Sequence, residues 1–150
     1  MKWRWLLLVP IIWACDDYDD CGISDFSEEL YVQFLDIDSK ESRTVTFSSM
    51  EVAFSNGNTI SYLDEEGGTS YIFPIDLEAD STVFTFRTDS IDYTFELEYS
   101  LEAIVENPEC GPIFRVKGIG YDEQTTSFDS VAFQVAELTK LFAPHVEIYF

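Results

Sequence analysis

Apolar and polar side chains alternate most regularly in residues 91–101. Apolar residues there alternate with threonine, serine and acidic residues; the apolar ones are Tyr93, Phe95, Leu97, Tyr99 and Leu101. A period of two places the apolar set on one face of an extended chain and the polar set on the other. The segment therefore predicts a half-buried antiparallel strand.

Weaker versions of the same pattern predict further strands. They cover residues 30–37, 43–49, 50–54, 59–63, 71–77, 82–88, 113–121, 127–135 and 146–150. Turn-forming residues separate them at 56–58, 66–68, 79–81 and 89–90. Short strands at this spacing are typical of an antiparallel sandwich or a small barrel. We favour an all-β fold, a single antiparallel β-sandwich of Ig-like or Greek-key type with about eight or nine strands.

The C-terminal third adds two expectations. Residues 135–142 could form a helical turn or two that ends before Pro144. The last residues are strongly apolar and would be a liability if they were exposed. We therefore expect a paired final strand with Val146, Ile148 and Phe150 on its buried face.

The N-terminus resembles a bacterial lipoprotein signal peptide. Lys2 and Arg4 precede an apolar stretch over residues 5–14, which ends with Ala14 before Cys15. The stretch is too short for a membrane-spanning helix, which needs about 20 apolar residues. A plain cleaved secretory signal is the remaining alternative. We predict a signal peptide over residues 1–14, a lipidated (palmitate-bearing) Cys15 that begins an acidic tether over 15–24, and the sandwich over 25–150.

Charge narrows the choice of partners. The chain has 29 acidic and 8 basic residues, a net charge of −21, and every acidic residue follows Cys15. Phosphate backbones would be repelled, so nucleic acid is a poor candidate partner and we expect none. The sequence has no basic patch for anionic lipid headgroups, so attachment to a membrane would depend on the lipid on Cys15.

Two cysteines remain once Cys15 carries lipid. In an oxidising envelope, Cys21 and Cys110 predict one disulfide. Two free thiols, or a buried Cys110 acting as a small apolar residue, are the alternatives.

Acidic clusters raise the question of a metal site. The densest is Asp16, Asp17, Asp19 and Asp20, and further groups occur at 36–38, 64–66, 76–80 and 122–123. None has the ligand spacing of an EF-hand calcium loop, and the later groups lie in predicted turns. His145 is the one histidine, too few for a usual zinc site. We expect no metal and no cofactor.

Catalytic signals are equally sparse. A serine–histidine mechanism would require His145 as the base, and the chain has no Gly-x-Ser-x-Gly elbow. We interpret His145 as a polar residue at a strand edge and expect no catalytic residues and no enzyme activity.

The acidic run after Cys15 suggests a destination. Asp16, Asp17, Asp19 and Asp20 are similar to the sorting signals of Bacteroidetes lipoproteins that are exported to the cell surface. By the enterobacterial rule, an aspartate directly after the lipidated cysteine would instead retain the protein at the inner membrane. A solvated spacer is the simplest alternative. We favour the outer membrane and leave open which of its faces carries the protein.

The layout of the chain also resembles a family of small, uncharacterised Bacteroidetes lipoproteins. The resemblance rests on Cys15 followed by Cys21, the strand over 91–101, Cys110-Gly111, the string Phe-Asp-Ser-Val at 128–131 and the ending over 145–150. It covers nearly the whole chain after the signal peptide and implies a lipid-anchored β-domain. It implies no catalytic residue.

These features favour a non-enzymatic binding or assembly module. It would be held to the envelope by lipid and would engage an envelope protein through a sheet face or an edge strand. A small-ligand or calcium receptor with a tyrosine-lined pocket is the second hypothesis, and an unrecognised hydrolase is the third.

Overall fold

The computed structural model describes residues 25–64, 66–105, 108, 111–140 and 143–150. These residues form nine strands and contain no helix. The strands are β1 (Glu29–Leu35), β2 (Ser49–Ala53), β3 (Thr59–Tyr62), β4 (Ser70–Pro74), β5 (Ser81–Arg87), β6 (Asp92–Ile104), β7 (Ile113–Gly120), β8 (Ser130–Phe133) and β9 (Val146–Tyr149). The predicted all-β fold is confirmed.

The strands form two sheets. One has the order β4-β1-β9-β8 and the other the order β3-β2-β5-β6-β7. All paired strands are antiparallel except β1 and β9, which run parallel with Val32 opposite Val146. The fold is thus a sandwich dominated by antiparallel pairs, while its Ig-like or Greek-key assignment stays a prediction.

The core lies between the two sheets and is unusually rich in phenylalanine. Phe34 of β1 lies at its centre, with its ring 5.7 Å from that of Phe86 on the opposite sheet and 5.3 Å from that of Phe47. It also contacts the rings of Tyr71, Phe128 and Phe150. Burial of such rings stabilises the fold, because each removes a large apolar area from water.

The strongest sequence pattern is reproduced in β6. Phe95, Leu97 and Tyr99 are buried there, and the acidic residues between them face outward. The final strand is also confirmed, because β9 pairs with β1 and β8, and Val146 and Ile148 are fully buried.

The predicted strand over residues 43–49 is wrong. Phe47 is buried as expected, but the segment forms only an isolated bridge between Val45 and Gly68 before Ser49 begins β2. Its other backbone groups bind elsewhere: the N–H of Phe47 donates to the Asp64 carboxylate and that of Ser48 to the carbonyl of Arg87. A side chain thus takes the place of a neighbouring strand.

The helical turn expected within residues 135–142 is also wrong for the described residues 135–140. Their backbone groups bond sideways rather than along the chain: the N–H of Gly118 donates to Ala136, that of Leu138 to Val116 and that of Ser27 to Leu138. The segment therefore lies along the outer edge of β7. Such pairing shields an edge strand that would otherwise be open.

The predicted lipidation, sorting and disulfide residues lie outside the described part of the chain. They are Cys15, Asp16, Asp17, Asp19, Asp20, Cys21 and Cys110. The predictions made for them stay predictions.

Candidate interaction surface

Several turn aspartates cap backbone groups. Asp36 Oδ1 accepts hydrogen bonds from the N–H groups of Asp38 and Ser39. Asp122 Oδ1 accepts one from the N–H of Gln124. Hydrogen bonds from Ser39 hold the pKa of Asp36 below its ordinary value. These are the local turns that aspartate favours, so the carboxylates have a structural role where the sequence raised the question of metal.

Asp76 has the same role inside the protein. Its side chain is buried, with Oδ2 accepting from the N–H of Ser55 at 2.6 Å and Oδ1 from the N–H of Glu78 at 2.8 Å. Burial by itself acts to raise the pKa of Asp76, but the hydrogen bonds from Ser55 and Glu78 outweigh it and lower the pKa. The ionised carboxylate therefore joins the β2–β3 hairpin to the β4–β5 turn.

Asp64 performs a comparable task between β3 and β4. It accepts hydrogen bonds from the N–H of Gly67 at 3.0 Å and from the hydroxyl of Tyr71 at 2.5 Å. Burial, followed by the Asp64 hydrogen bond, raises the pKa of the Tyr71 hydroxyl, so the tyrosine stays a neutral donor.

His145 is buried, and its interpretation as a polar edge residue is wrong. Its Nδ1 accepts from the N–H of Tyr31 at 3.0 Å, and its Nε2 lies 2.7 Å from the carbonyl oxygen of Thr139. These partners assign the neutral ring with the proton on Nε2. Burial lowers the pKa of His145. The imidazole thus connects β1 to the segment that precedes β9.

The tyrosines are distributed unevenly. Five of the seven described ones belong to the core or pack against it, namely Tyr62, Tyr71, Tyr93, Tyr99 and Tyr121. The other two, Tyr31 and Tyr149, alternate with buried residues and lie on the outer face of the four-stranded sheet. A pocket lined by many tyrosines therefore gains no support from their placement.

The outer face of the five-stranded sheet carries ion pairs. Arg87 of β5 pairs with Glu51 of β2 and with Asp92 of β6. Arg115 of β7 binds Glu137 through two parallel hydrogen bonds of 2.7 and 2.8 Å. Lys117 binds Glu102 at 2.6 Å. Such a face is typical of a strongly solvated surface.

The strand positions on the outer face of the four-stranded sheet carry little charge, although the Lys40 ammonium lies 4.3 Å from the ring centroid of Tyr149. The sheet's outward strand positions include charged residues only at Glu29 and Glu147, among the described strands β1, β4, β8 and β9. We call its remaining outward residues the low-charge face; they are Tyr31, Gln33, Ser70, Ile72, Pro74, Ser130, Ala132 and Tyr149. Ile72 is 57% exposed there. Depletion of charge together with tyrosine is a feature of interface cores.

The low-charge face continues towards an open sheet edge. β4 ends one sheet and β3 ends the other, and the rings of Tyr62 and Phe73 bring the two strands together at 5.7 Å. Two further exposed apolar residues lie at this edge, Ile60 (40% exposed) and Leu63 (78% exposed). Exposed apolar residues that share one side of a molecule suggest an interaction site.

Sequence reasoning missed this surface, although a signal for it was present. Residues 52–63 and 67–75 are the two longest stretches after Cys15 without a charged residue, and they contain β3 and β4. In a chain with 25% charged residues such stretches stand out. These uncharged stretches indicate an exposed surface only because β3 and β4 both lie at sheet edges, which the sequence alone does not show.

The described residues contain no group of three or more histidine, cysteine, aspartate or glutamate side chains placed to hold a metal ion. The same residues include no helix that is long and apolar enough to cross a membrane. Comparison of the chain with protein-family models, with curated proteins and with solved structures gave no match.

Proposed function

We propose that the chain is a lipid-anchored lipoprotein of the bacterial outer membrane, similar to the small Bacteroidetes lipoproteins, whose β-sandwich binds or helps to assemble an envelope protein. The observation that carries the binding role is the contrast between the two outer faces. One face bears the ion pairs of Arg87, Arg115 and Lys117, while the other presents Tyr31 and Ile72 among few charged strand positions. A protein that needed only solubility would have no reason to deplete charge on one face.

The anchoring role is supported by the sequence before residue 25. The basic, apolar and small residues that end at Cys15 form the lipidation pattern, and the aspartates after it form the sorting signal. A domain held in the plane of a membrane meets its partners at a raised effective concentration. Modest affinity is then enough for a working complex.

The anchor is tested by mass spectrometry of the protein purified from membranes. A lipidated Cys15 at the mature N-terminus supports it, and a Cys15→Ala variant should leave the membrane fraction. An unmodified N-terminus at another residue would contradict it. Protease treatment of intact cells then decides which side of the outer membrane carries the domain.

The binding role is tested by photo-crosslinking at native abundance. A photoreactive amino acid is placed at Ile72 on the low-charge face or, as the matched control, at Thr85, which faces outward from β5 in the middle of the other sheet. We expect one envelope protein to be cross-linked from position 72 and not from position 85. No cross-link from position 72, or the same products from both positions, would contradict the proposal.

A further inference from the structure

The outer edge of β3 has backbone groups to which no other described strand bonds. In the β2–β3 hairpin the N–H of Phe54 donates to the carbonyl of Asn58 at 2.9 Å, and the register continues with Val52 opposite Ile60. Antiparallel pairs alternate between bonded and non-bonded positions. Thr59 and Ser61 therefore direct their N–H and C=O groups away from β2. Within the described residues, β3 has no second neighbouring strand.

Within the part of the chain that the structure describes, this edge lacks the usual protection. Edge strands are commonly guarded by charged side chains, by proline or by a covering segment. β7 is covered by residues 136–138, and β4 contains Pro74. β3 contains only Thr59, Ile60, Ser61 and Tyr62, and the uncharged stretch around it covers residues 52–63. An open edge of this kind is a template for an added strand.

The charges around the edge indicate what kind of strand it would accept. Residues 44–86 contain no lysine or arginine but seven acidic residues. Among these acids, Glu51 is paired with Arg87, while Glu66 is exposed. From β1, the Glu29 carboxylate lies close enough to Tyr62 to add to the effect of burial in raising the pKa of its hydroxyl. The edge is therefore uncharged at its centre and acidic around it.

A second copy of the chain fits this edge less well. It would bring the same acidic surroundings and a net charge of −21, so the two copies would repel each other over roughly a Debye length of about 8–10 Å. A cationic partner gains attraction from the same field.

We propose that β3 is a docking edge for an extended segment of a different protein, apolar and uncharged over its central residues and flanked by lysine or arginine. The segment would add to the five-stranded sheet by pairing with Thr59 and Ser61 and would cover Ile60 and Leu63. The inference names the partner of the proposed binding function and rests on that function.

The test uses two synthetic peptides with the mature full-length protein in detergent solution. Both peptides have five alternating threonine and valine residues; one has two lysines at each end and the other two glutamates. Fluorescence anisotropy measures affinity, and hydrogen exchange read by mass spectrometry locates the bound segment. We expect the lysine-flanked peptide to bind at least about tenfold more tightly and to slow exchange over residues 59–63.

A matched pair of variants separates pairing at the edge from general charge. Ser61→Lys places a cation on the β3 edge, and Ser130→Lys makes the same change on β8, at the edge of the other sheet. Both serines are exposed, so both variants should fold. We expect Ser61→Lys to lower the affinity for the lysine-flanked peptide at least about tenfold. Ser130→Lys should change that affinity less than about twofold.

Four results would overturn the inference: no slowing of exchange at residues 59–63, equal binding of the two peptides, equal loss in the two variants, or protection of the edge by self-association without peptide. If these results appear while cross-links from position 72 persist, the docking edge fails and the binding function stands. If the cross-links are absent as well, both fail.

Discussion

The Nδ1 atom of His145 accepts a hydrogen bond from the backbone N–H of Tyr31 at 3.0 Å, across 114 positions of the chain. The ring can accept this bond only while it is neutral, because a protonated imidazole has two donors and no acceptor. Burial lowers the pKa of His145 in the folded protein. In the unfolded chain the pKa should be close to 6.5.

This difference predicts a loss of stability on acidification. As the pH falls through about 6.5, the unfolded chain takes up a proton at this residue while the folded protein does not, so the free energy of unfolding falls until the lower folded pKa is reached. Each unit of depression adds about 1.4 kcal/mol to the loss. Urea unfolding of the wild type and of His145→Gln at about pH 8 and about pH 5 measures this loss of unfolding free energy.

The variant is needed because acidification also relieves repulsion among the many carboxylates, which acts in the opposite direction. That contribution is common to both proteins, so the wild-type advantage over His145→Gln should shrink towards about pH 5. An advantage that is the same at both pH values would show that His145 does not titrate differently in the folded state.

A second prediction concerns the buried hydroxyl of Tyr99. It lies 2.5 Å from the carbonyl oxygen of Asp76 and 2.7 Å from the hydroxyl oxygen of Thr82, and burial raises the pKa of Tyr99 to about 12. Tyr99→Phe leaves both partners without this bond, which should cost about 1–3 kcal/mol of unfolding free energy. Tyr149→Phe is the control, because its hydroxyl bonds to Glu147 on the outer face, and it should change stability by less than about 0.5 kcal/mol. Equal effects of the two variants in urea unfolding would be inconsistent with a structural role for the Tyr99 hydroxyl.

Some features of this fold have a local signal in the sequence, whereas others depend on contacts between distant segments. The alternation around Phe95 and Leu97 identified β6 and its buried face, because a period of two is visible within one strand. Residues 43–49 looked similar, since Val45 and Phe47 also alternate with polar residues, yet the N–H of Phe47 donates to the side chain of Asp64, farther along the chain, and not to a neighbouring strand. The parallel pairing of β1 with β9 depends on contacts between the two ends of the fold and has no local signal.

The candidate interaction surface also has one part that is visible in the sequence and one part that depends on the fold. The absence of charge around Ile60 and Ile72 can be read from the sequence, but their common position at the open side of the sandwich requires the strand order. For His145, the sequence offered only its position before the last strand. Its burial depends on Tyr31 and Thr139, which lie on separate segments.

Two glycines with similar positive φ angles allow steric contact to be separated from backbone strain. Gly57 and Gly67 have φ angles of 84° and 77°, a region that disfavours other residues. A Cβ atom on Gly57 would meet nothing within 4 Å, whereas one on Gly67 would lie 2.5 Å from Thr46 Oγ1 and 3.2 Å from the carbonyl oxygen of Val45. Gly57→Ala should cost about 1–2 kcal/mol and Gly67→Ala more. Equal losses of unfolding free energy in the two variants would mean that the segment around Thr46 moves away from the added Cβ atom without cost.

The phenylalanine core predicts a large effect at its centre. Phe34 is fully buried and contacts five other aromatic rings, so Phe34→Ala should cost about 3–5 kcal/mol of unfolding free energy through lost burial and a residual cavity. Ile91→Ala is the control at a side chain that is 52% exposed and should cost less than about 1 kcal/mol. If both variants unfold at similar urea concentrations, the contacts of Phe34 are not the centre of the core.

The predicted bridge between Cys21 and Cys110 gives the last prediction. A disulfide would close a loop of about 90 residues and, in the chain-entropy model, stabilise the protein by about 4–5 kcal/mol. Thiol titration of the unfolded but unreduced protein should find neither cysteine reactive, while Cys110→Ser should release one thiol at Cys21. Two reactive thiols in the wild type would exclude the bridge.

The result also determines how far the domain can lie from the membrane, because a bridged Cys21 would leave only residues 16–20 between the lipid on Cys15 and the domain. Those residues extend at most about 16–18 Å, so a bridge would hold the acidic sandwich close to the membrane and limit which envelope proteins can reach its β3 edge.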